Sequence, residues 1–300
     1  VTDSTPPLGL LLDVDGPIAS PVTRSIAIPS IAADLAALAN LGVPIAFNTG
    51  RSDAFLREQV VPPLLTAGLD AGVRVWGICE KGAVWMRITA AGAQEVTVDE
   101  ELRMPAAFGR DVERIVHDDF ADLVFYDDTK RAMVSVEQRT EIENDDFLAG
   151  QPALNRAIAQ AMSDQGLGYE WGEKRVPDAD GRVDYRIDPT IISTDIESNR
   201  VGKDLGASLM LAFLADEGVP LPRAWRTMGD SRTDYAMADW LHENGHEVVH
   251  VDVRPADGVP ATPYPVRQHP TLIHDEAGAR YLSRWVEIAR GATDDDADLV

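Results

Sequence analysis

Asp13 and Asp15 stand two residues apart in LGLLLDVDGPIAS (8–20), directly after the aliphatic run Leu8, Leu10, Leu11 and Leu12 and directly before a Gly-Pro turn. Burying a carboxylate is costly, and a like-charged neighbour raises the cost. Two acids at the end of a buried strand therefore call for a cation, a reaction, or an exposed turn. Three further polar clusters accompany them: NTGR at 48–51, Lys203 at the head of KDLG, and GDSRTD at 229–234. Together they hold the carboxylates of Asp13, Asp15, Asp230 and Asp234, the Thr49 hydroxyl beside Gly50, and the Lys203 ammonium. Clustered carboxylates suit a hard divalent cation, above all Mg2+, which prefers oxygen ligands and keeps several waters. A lysine, a hydroxyl and turn amides next to that cation suit a phosphate group.

The elements that must position these residues alternate. Leu8–Val14 reads as a buried strand from its continuous apolar run, and Pro29 opens PSIAADLAALANLG, whose Ile31, Leu35, Leu38 and Leu41 recur at helical spacing. VPIAFNTG (43–50) is a second strand, DAFLREQVVPPLLTAG a helix interrupted at Pro62–Pro63, and VRVWGIC (73–79) a third strand. Such alternation argues for a parallel α/β sheet with right-handed crossovers. From about residue 87 the texture changes to period-two runs (MRITAAG, QEVTV, DLVFYDD, RAMVSVEQ, LGYEW, RVDYRID) around two helical stretches, MPAAFGRDVERIVHDDF and QPALNRAIAQAMSDQ. After about Thr194 the α/β texture returns, with helices at KDLGASLMLAFLADEG, DYAMADWLHE and EAGARYLSRWVEIA and strands at AWRTMGD and EVVHVDV. The expected organisation is a Rossmann-like core of residues 1–86 and 194–290, an α+β insert at 87–193, and an acidic disordered tail at 291–300. Ligands of an open parallel sheet gather beyond the carboxyl ends of its strands, where all four polar clusters fall.

Composition narrows the function classes. The 300 residues carry 27 Lys+Arg against 50 Asp+Glu, a formal charge of −23, which repels nucleic acid and anionic membranes. No apolar segment is long enough to cross a bilayer, and VTDSTPPLG has neither the basic start nor the apolar stretch of a signal peptide. One cysteine, Cys79, excludes an intrachain disulfide and a cysteine-based metal cage. A cytoplasmic protein, a monomer or homodimer acting on a small molecule, is the expectation.

The four clusters in this order resemble the motifs of the haloacid dehalogenase superfamily: DVDG the first, NTG the second, Lys203 in NRVGKDLG the third, GDSRTDYAM the fourth. The resemblance covers the core, about two-thirds of the chain, and the insert only by position. An insert after NTGR and before Lys203 is similar to a type-II cap of the Cof-like, sugar-phosphatase-like branch, and EKGA at 80–83 resembles a segment many of those relatives carry. The resemblance implies that Asp13 is a nucleophile forming an aspartyl-phosphate and that Asp15 is the acid and base. It further implies that Mg2+ is held by Asp13, the Asp15 backbone carbonyl and Asp230 with Asp234 in support. Thr49, Gly50 and Lys203 would hold the phosphoryl group. An aspartate at position 15 favours phosphoryl transfer over dehalogenation. In these relatives the cap closes over the core and supplies substrate contacts. The implied activity is a Mg2+-dependent phosphatase of a small phosphorylated metabolite, a sugar phosphate first. A phosphomannomutase-like phosphohexomutase and a non-catalytic sensor of phosphorylated ligands are the alternatives. Pro17, Ser231, Thr233 and Lys81 depart from the common forms of the motifs without removing a catalytic group.

Other signals carry less. HENGH (242–246) matches a zinc-protease pattern, but Asn-Gly inside it favours a turn, so a helix should end before His246. Arg51, beside the phosphate-binding turn, fits either a substrate contact or a structural ion pair. Lys130-Arg131 and Lys174-Arg175 read better as solvated charge, and Tyr169 and Trp171 as strand packing.

Overall fold

The computed structural model describes residues 5–254 and 258–293. The chain starts with β1 (Leu8–Leu12), α1 (Pro29–Asn40) and β2 (Ile45–Asn48). Pro29 opens α1, where a missing N–H costs nothing, and its buried stripe of Ile31, Leu35, Leu38 and Ala39 follows the helical period. Next come α2 (Asp53–Phe55), a π-turn over Leu56–Val60 and α3 (Val61–Ala67). The sequence placed an interruption at Pro62–Pro63. Instead the helical path is continuous and widens ahead of the prolines, which lack the N–H groups to close normal turns. β3 (Val75–Cys79), β4 (Val84–Thr89) and β5 (Gly92–Val98) follow.

The middle of the chain forms α4 (Ala106–Asp119), β6 (Val124–Tyr126), β7 (Val134–Gln138), α5 (Asn144–Asp164), β8 (Tyr169–Trp171), β9 (Lys174–Val176), β10 (Tyr185–Pro189) and β11 (Ser193–Ser198). It closes with α6 (Lys203–Asp216), β12 (Ala224–Gly229), α7 (Tyr235–Glu243), β13 (Val248–Asp252), β14 (Val266–Arg267) and α8 (His274–Ala289). No described helix is long and apolar enough to cross a membrane.

Two compact units result: residues 1–97 with 202–300, and residues 98–201. The expected insert began at 87, but MRITAAG and QEVTV form β4 and β5 of the core sheet. Their period-two pattern is that of strands with one solvated face. An antiparallel edge added to a parallel sheet carries the same signature as an inserted sheet. The core unit likewise resumes at 202, not 194, because STDIES forms β11 of the second unit. Residues 294–300 of the expected tail lie outside the described residues.

The core sheet runs β14-β13-β12-β1-β2-β3-β4-β5, with every neighbouring pair from β14 to β3 parallel and β4 antiparallel to β3. β1 lies in the middle, and all five of its residues are buried, as helices on both faces require. One face packs Leu11, Ala46, Trp76 and Trp225 against Met210 and Leu214 of α6 and Met237 and Leu241 of α7. Elsewhere in this unit, α1 packs against α8 and α3. The second unit has a sheet of order β6-β7-β11-β10-β8-β9, whose core joins Phe108 and Val112 of α4 to Leu154, Ile158 and Met162 of α5.

Candidate active site

The chain leaves β1 for β2 on one side and later returns to β12 on the other, so the strand order reverses beside β1. A crevice at such a point is where doubly wound sheets bind ligands. The registers Leu12↔Met228 and Leu12↔Phe47 bring the carboxyl ends of the three strands level. Asp13 therefore follows β1, Thr49 follows β2 and Asp230 follows β12, side by side.

Lys203, the first residue of α6, joins these ends. Its Nζ donates to Asp13 Oδ1 at 2.7 Å and to the Asn48 carbonyl at 2.8 Å, and lies 2.6 Å from Asp234 Oδ1. Burial opposes the lysine charge, but the two carboxylates outweigh it and hold the ammonium above its ordinary pKa. Asn48 returns the contact by donating Nδ2 to the Lys203 carbonyl at 2.8 Å. Gly206 admits that amide, since a Cβ there would sit 2.1 Å from Asn48 Oδ1. Asp13 is 7 % exposed, and burial pushes its carboxyl well up despite the neighbouring lysine.

Asp234 sits at the turn into α7, where its Oδ2 accepts from the Ser231 amide at 3.0 Å, the Ser231 hydroxyl at 2.8 Å and the Asp230 amide at 3.2 Å. Burial raises its pKa, and the Lys203 ammonium with the Ser231 hydroxyl more than reverses the effect. Asp230, less enclosed, is pushed up to about 6 by burial and by the Asp234 charge. Oxygens of Asp13, Asp230 and Asp234 all lie within 4.8 Å of one another. Three carboxylates converging without soft ligands fit a hard divalent cation such as Mg2+. Gly16, at φ +92°, lets the loop pass Asp230: a Cβ there would lie 2.5 Å from Asp230 Oδ2.

Thr49 is fully buried, its hydroxyl accepting the Arg51 amide at 3.1 Å and its carbonyl the Lys81 amide at 3.0 Å. EKGA ties the loops together. The Glu80 amide donates to the Arg51 carbonyl, and the Lys81 carbonyl accepts from Gly202 beside Lys203. Glu80 and Lys81 take φ of 49° and 55° to do so, local strain kept by its surroundings. Asp15 stands apart from the other three carboxylates. Both its oxygens accept from Arg51, Nε to Oδ2 and Nη2 to Oδ1, each at 2.9 Å. The metal contact implied for Asp15 is through its backbone carbonyl, so this side-chain pairing does not compete with it.

All the expected site residues lie in the core unit. Asp13, Lys203, Asp230 and Asp234 form one cluster, with Thr49 and Gly50 following β2 next to it. The sequence did not single out Asn48, and it marked Ser231 only as a departure from the fourth motif; Ser231 is the Asp234 cap, legible as a Ser-x-x-Asp capping box. His274, which by its spacing in the sequence reads as an ordinary polar position, places Nδ1 3.8 Å from Asp230 Oδ2. HENGH is no metal site: α7 stops at Glu243 and Gly245 takes φ 81°, so the two histidines do not share a helix.

No protein-family model matches the chain, and no curated protein does. Solved structures do. The C-terminal domain of Candida albicans trehalose-6-phosphate phosphatase is similar at TM-score 0.64 and 14 % identity, over 95 % of this chain and 94 % of that one. Aspergillus fumigatus trehalose-6-phosphate phosphatase is similar at 0.52 and 14 %, over 94 % of each chain. The C-terminal domain of a C. albicans trehalose synthase regulatory protein is similar at 0.56 and 12 %, over 88 % of this chain and 91 % of that one. At such identities the likeness concerns the fold. The chain has the haloacid dehalogenase fold, a parallel-stranded core with an inserted α+β unit, in agreement with its four motifs.

Proposed function

We propose that the protein is a Mg2+-dependent phosphomonoesterase acting on a small phosphorylated metabolite, with a sugar phosphate first among the candidates. The observation that carries this reading is Asp13: a buried carboxylate at the end of the central strand, held by Lys203 and flanked by Asp230 and Asp234. A carboxylate oxygen of Asp13 would bond to phosphorus as the ester P–O bond breaks, and Asp15 would give its proton to the departing oxygen. Asp15, now ionised, would take a proton from water. That water oxygen would bond to phosphorus, the Asp13–phosphorus bond would break, and inorganic phosphate would leave with Asp15 reprotonated. Lys203 and the Thr49–Gly50 turn would hold the phosphoryl oxygens as charge develops. Mg2+ on Asp13, Asp230 and Asp234 would offset their mutual repulsion and polarise the phosphoryl group.

Two proteins of similar structure are described as trehalose-6-phosphate phosphatases, so a disaccharide phosphate belongs in the test beside hexose phosphates. A third is described as a regulatory protein, which keeps a non-catalytic phospho-ligand sensor as the second reading. Asp15 favours catalysis, because a binder needs no proton donor. The test is phosphate release from sugar phosphates, nucleotides and an aryl phosphate, with Mg2+, with chelator, and with Asp13→Asn. Metal-dependent release that the substitution abolishes is expected. Interconversion of hexose phosphates without release would point to a phosphohexomutase. Tight binding without turnover would point to the sensor.

A further inference from the structure

Arg51 meets Asp15 through both arms of its guanidinium, Nε to Oδ2 and Nη2 to Oδ1 at 2.9 Å each. Two parallel hydrogen bonds fix the plane of a carboxylate as well as its position, which a point charge cannot do. Arg51 is itself fixed. Its amide donates to Thr49 Oγ1, its carbonyl accepts from Glu80, and its guanidinium lies 4.9 Å from the centre of the Phe55 ring. A long side chain held at backbone and head has already lost the freedom that would blur its partner. Asp15, by contrast, follows a Val and precedes the Gly16 turn, and its side chain is 38 % exposed. Its own strand end does not orient it; the arginine after NTG does.

We propose that Arg51 is a positioning residue, setting the Asp15 carboxyl for proton transfer to and from the oxygens on phosphorus. The proposal rests on the phosphatase reading and assigns within it a role the four motifs leave open. It also resolves the two uses the sequence allowed for Arg51 in favour of the ion pair, and makes that pair part of the chemistry.

The readout is dependence on the leaving group. An alkyl phosphate such as a sugar phosphate leaves as a poor alkoxide and needs the proton, whereas an aryl phosphate with an acidic phenol does not. The kcat/KM values of Arg51→Lys and Arg51→Gln are compared with wild type on both substrates, since kcat/KM reports steps through departure of the leaving group. With Arg51→Lys, which keeps the charge and loses the fork, kcat/KM on the alkyl ester falls about 10- to 100-fold, less than the roughly 100- to 10,000-fold of losing a general acid outright because the acid is displaced and not removed, and only a few-fold on the aryl ester. In an Asp15→Asn background, adding Arg51→Lys changes neither value further, because the two act as one unit. Equal losses on both substrates, additive losses in the double variant, or a rise in KM alone would each overturn the assignment. In those outcomes wild type still releases phosphate. A wild type that turns over neither ester would instead remove the phosphatase reading itself, and this role with it.

Discussion

Lys203 Nζ lies 2.7 Å from Asp13 Oδ1, although 190 residues and the whole second unit separate the two in the chain. Both groups are at least nine-tenths buried, so each depends on the other for compensation.

Replacing Lys203 by Met should therefore leave Asp13 and Asp234 as buried acids without a counter-charge. Removing one partner of such a pair costs about 3–5 kcal/mol. A free energy of urea unfolding lowered by that amount, with phosphate release lost, is the expected outcome. Lys203→Arg is a useful contrast: it keeps the charge but is too large for a pocket that also holds the Asn48 carbonyl, and it should recover stability only in part. Unchanged stability in Lys203→Met would show that the site does not need the cation.

Gly16 answers a different constraint. At φ +92° with Asp230 crowding the space of a missing side chain, Ala has neither an allowed conformation nor room. Strain of this kind costs about 1–3 kcal/mol, and relief would push Asp230 out of the carboxylate trio. Gly16→Ala should weaken Mg2+ binding, read by calorimetry, more than it lowers the melting temperature. Pro17 follows, and its carbonyl approaches Gly278 of α8 so closely that a Cβ there would sit at 2.0 Å. Gly278→Ala should thus disturb the same loop from the opposite side.

Mg2+ itself should act as a stabiliser. A ligand bound only by the folded state adds RT ln(1 + [L]/Kd), about 2.7 kcal/mol at 100 times Kd. The melting temperature should rise with Mg2+ and return on chelation. Asp230→Asn, which removes one of the three acids and part of their repulsion, should raise the metal-free melting temperature and abolish the response. A response that survives Asp230→Asn would place the ion elsewhere.

These arguments use residues whose roles were legible to different degrees. DVDG, NTG, Lys203 and GDSRTD could be read because each follows an apolar strand or opens a helix, and parallel topology carries strand ends to one edge. The second unit was harder to read. β11 (STDIES) escaped because most of its buried side chains are polar and find partners elsewhere in the unit: Glu197 with Arg186 across the sheet, and Thr194 with Asn155 of α5. α5 begins at Asn144, before the expected Gln151, and passes through Pro152. The buried face of Phe147, Leu154, Ile158 and Met162 outweighs a break that local propensity would place there. The Arg51–Asp15 pair joins residues 36 apart, and no periodicity reports a contact of that kind.

His250 supplies the pH dependence. It is fully enclosed on β13, with Nδ1 2.7 Å from Thr227 Oγ1 and its ring 4.2 Å from that of Tyr235. Burial lowers its pKa to about 4, against an ordinary value of 6.5, although Asp234, Asp252 and Asp239 pull the other way. Between those values the unfolded chain holds a proton that the folded protein does not, so stability rises with pH across that window. His250 contributes fully above about 6.5, and its contribution is lost as pH falls toward about 4. The gap corresponds to roughly 3 kcal/mol. His250→Gln keeps a polar group for Thr227 but cannot titrate. Urea unfolding of both proteins from pH 7.5 to 4.5 should show a shallower loss in the variant, with the two curves converging as pH falls. Parallel curves would mean that His250 is not the group responsible. The acid sensitivity would then belong to the carboxylates.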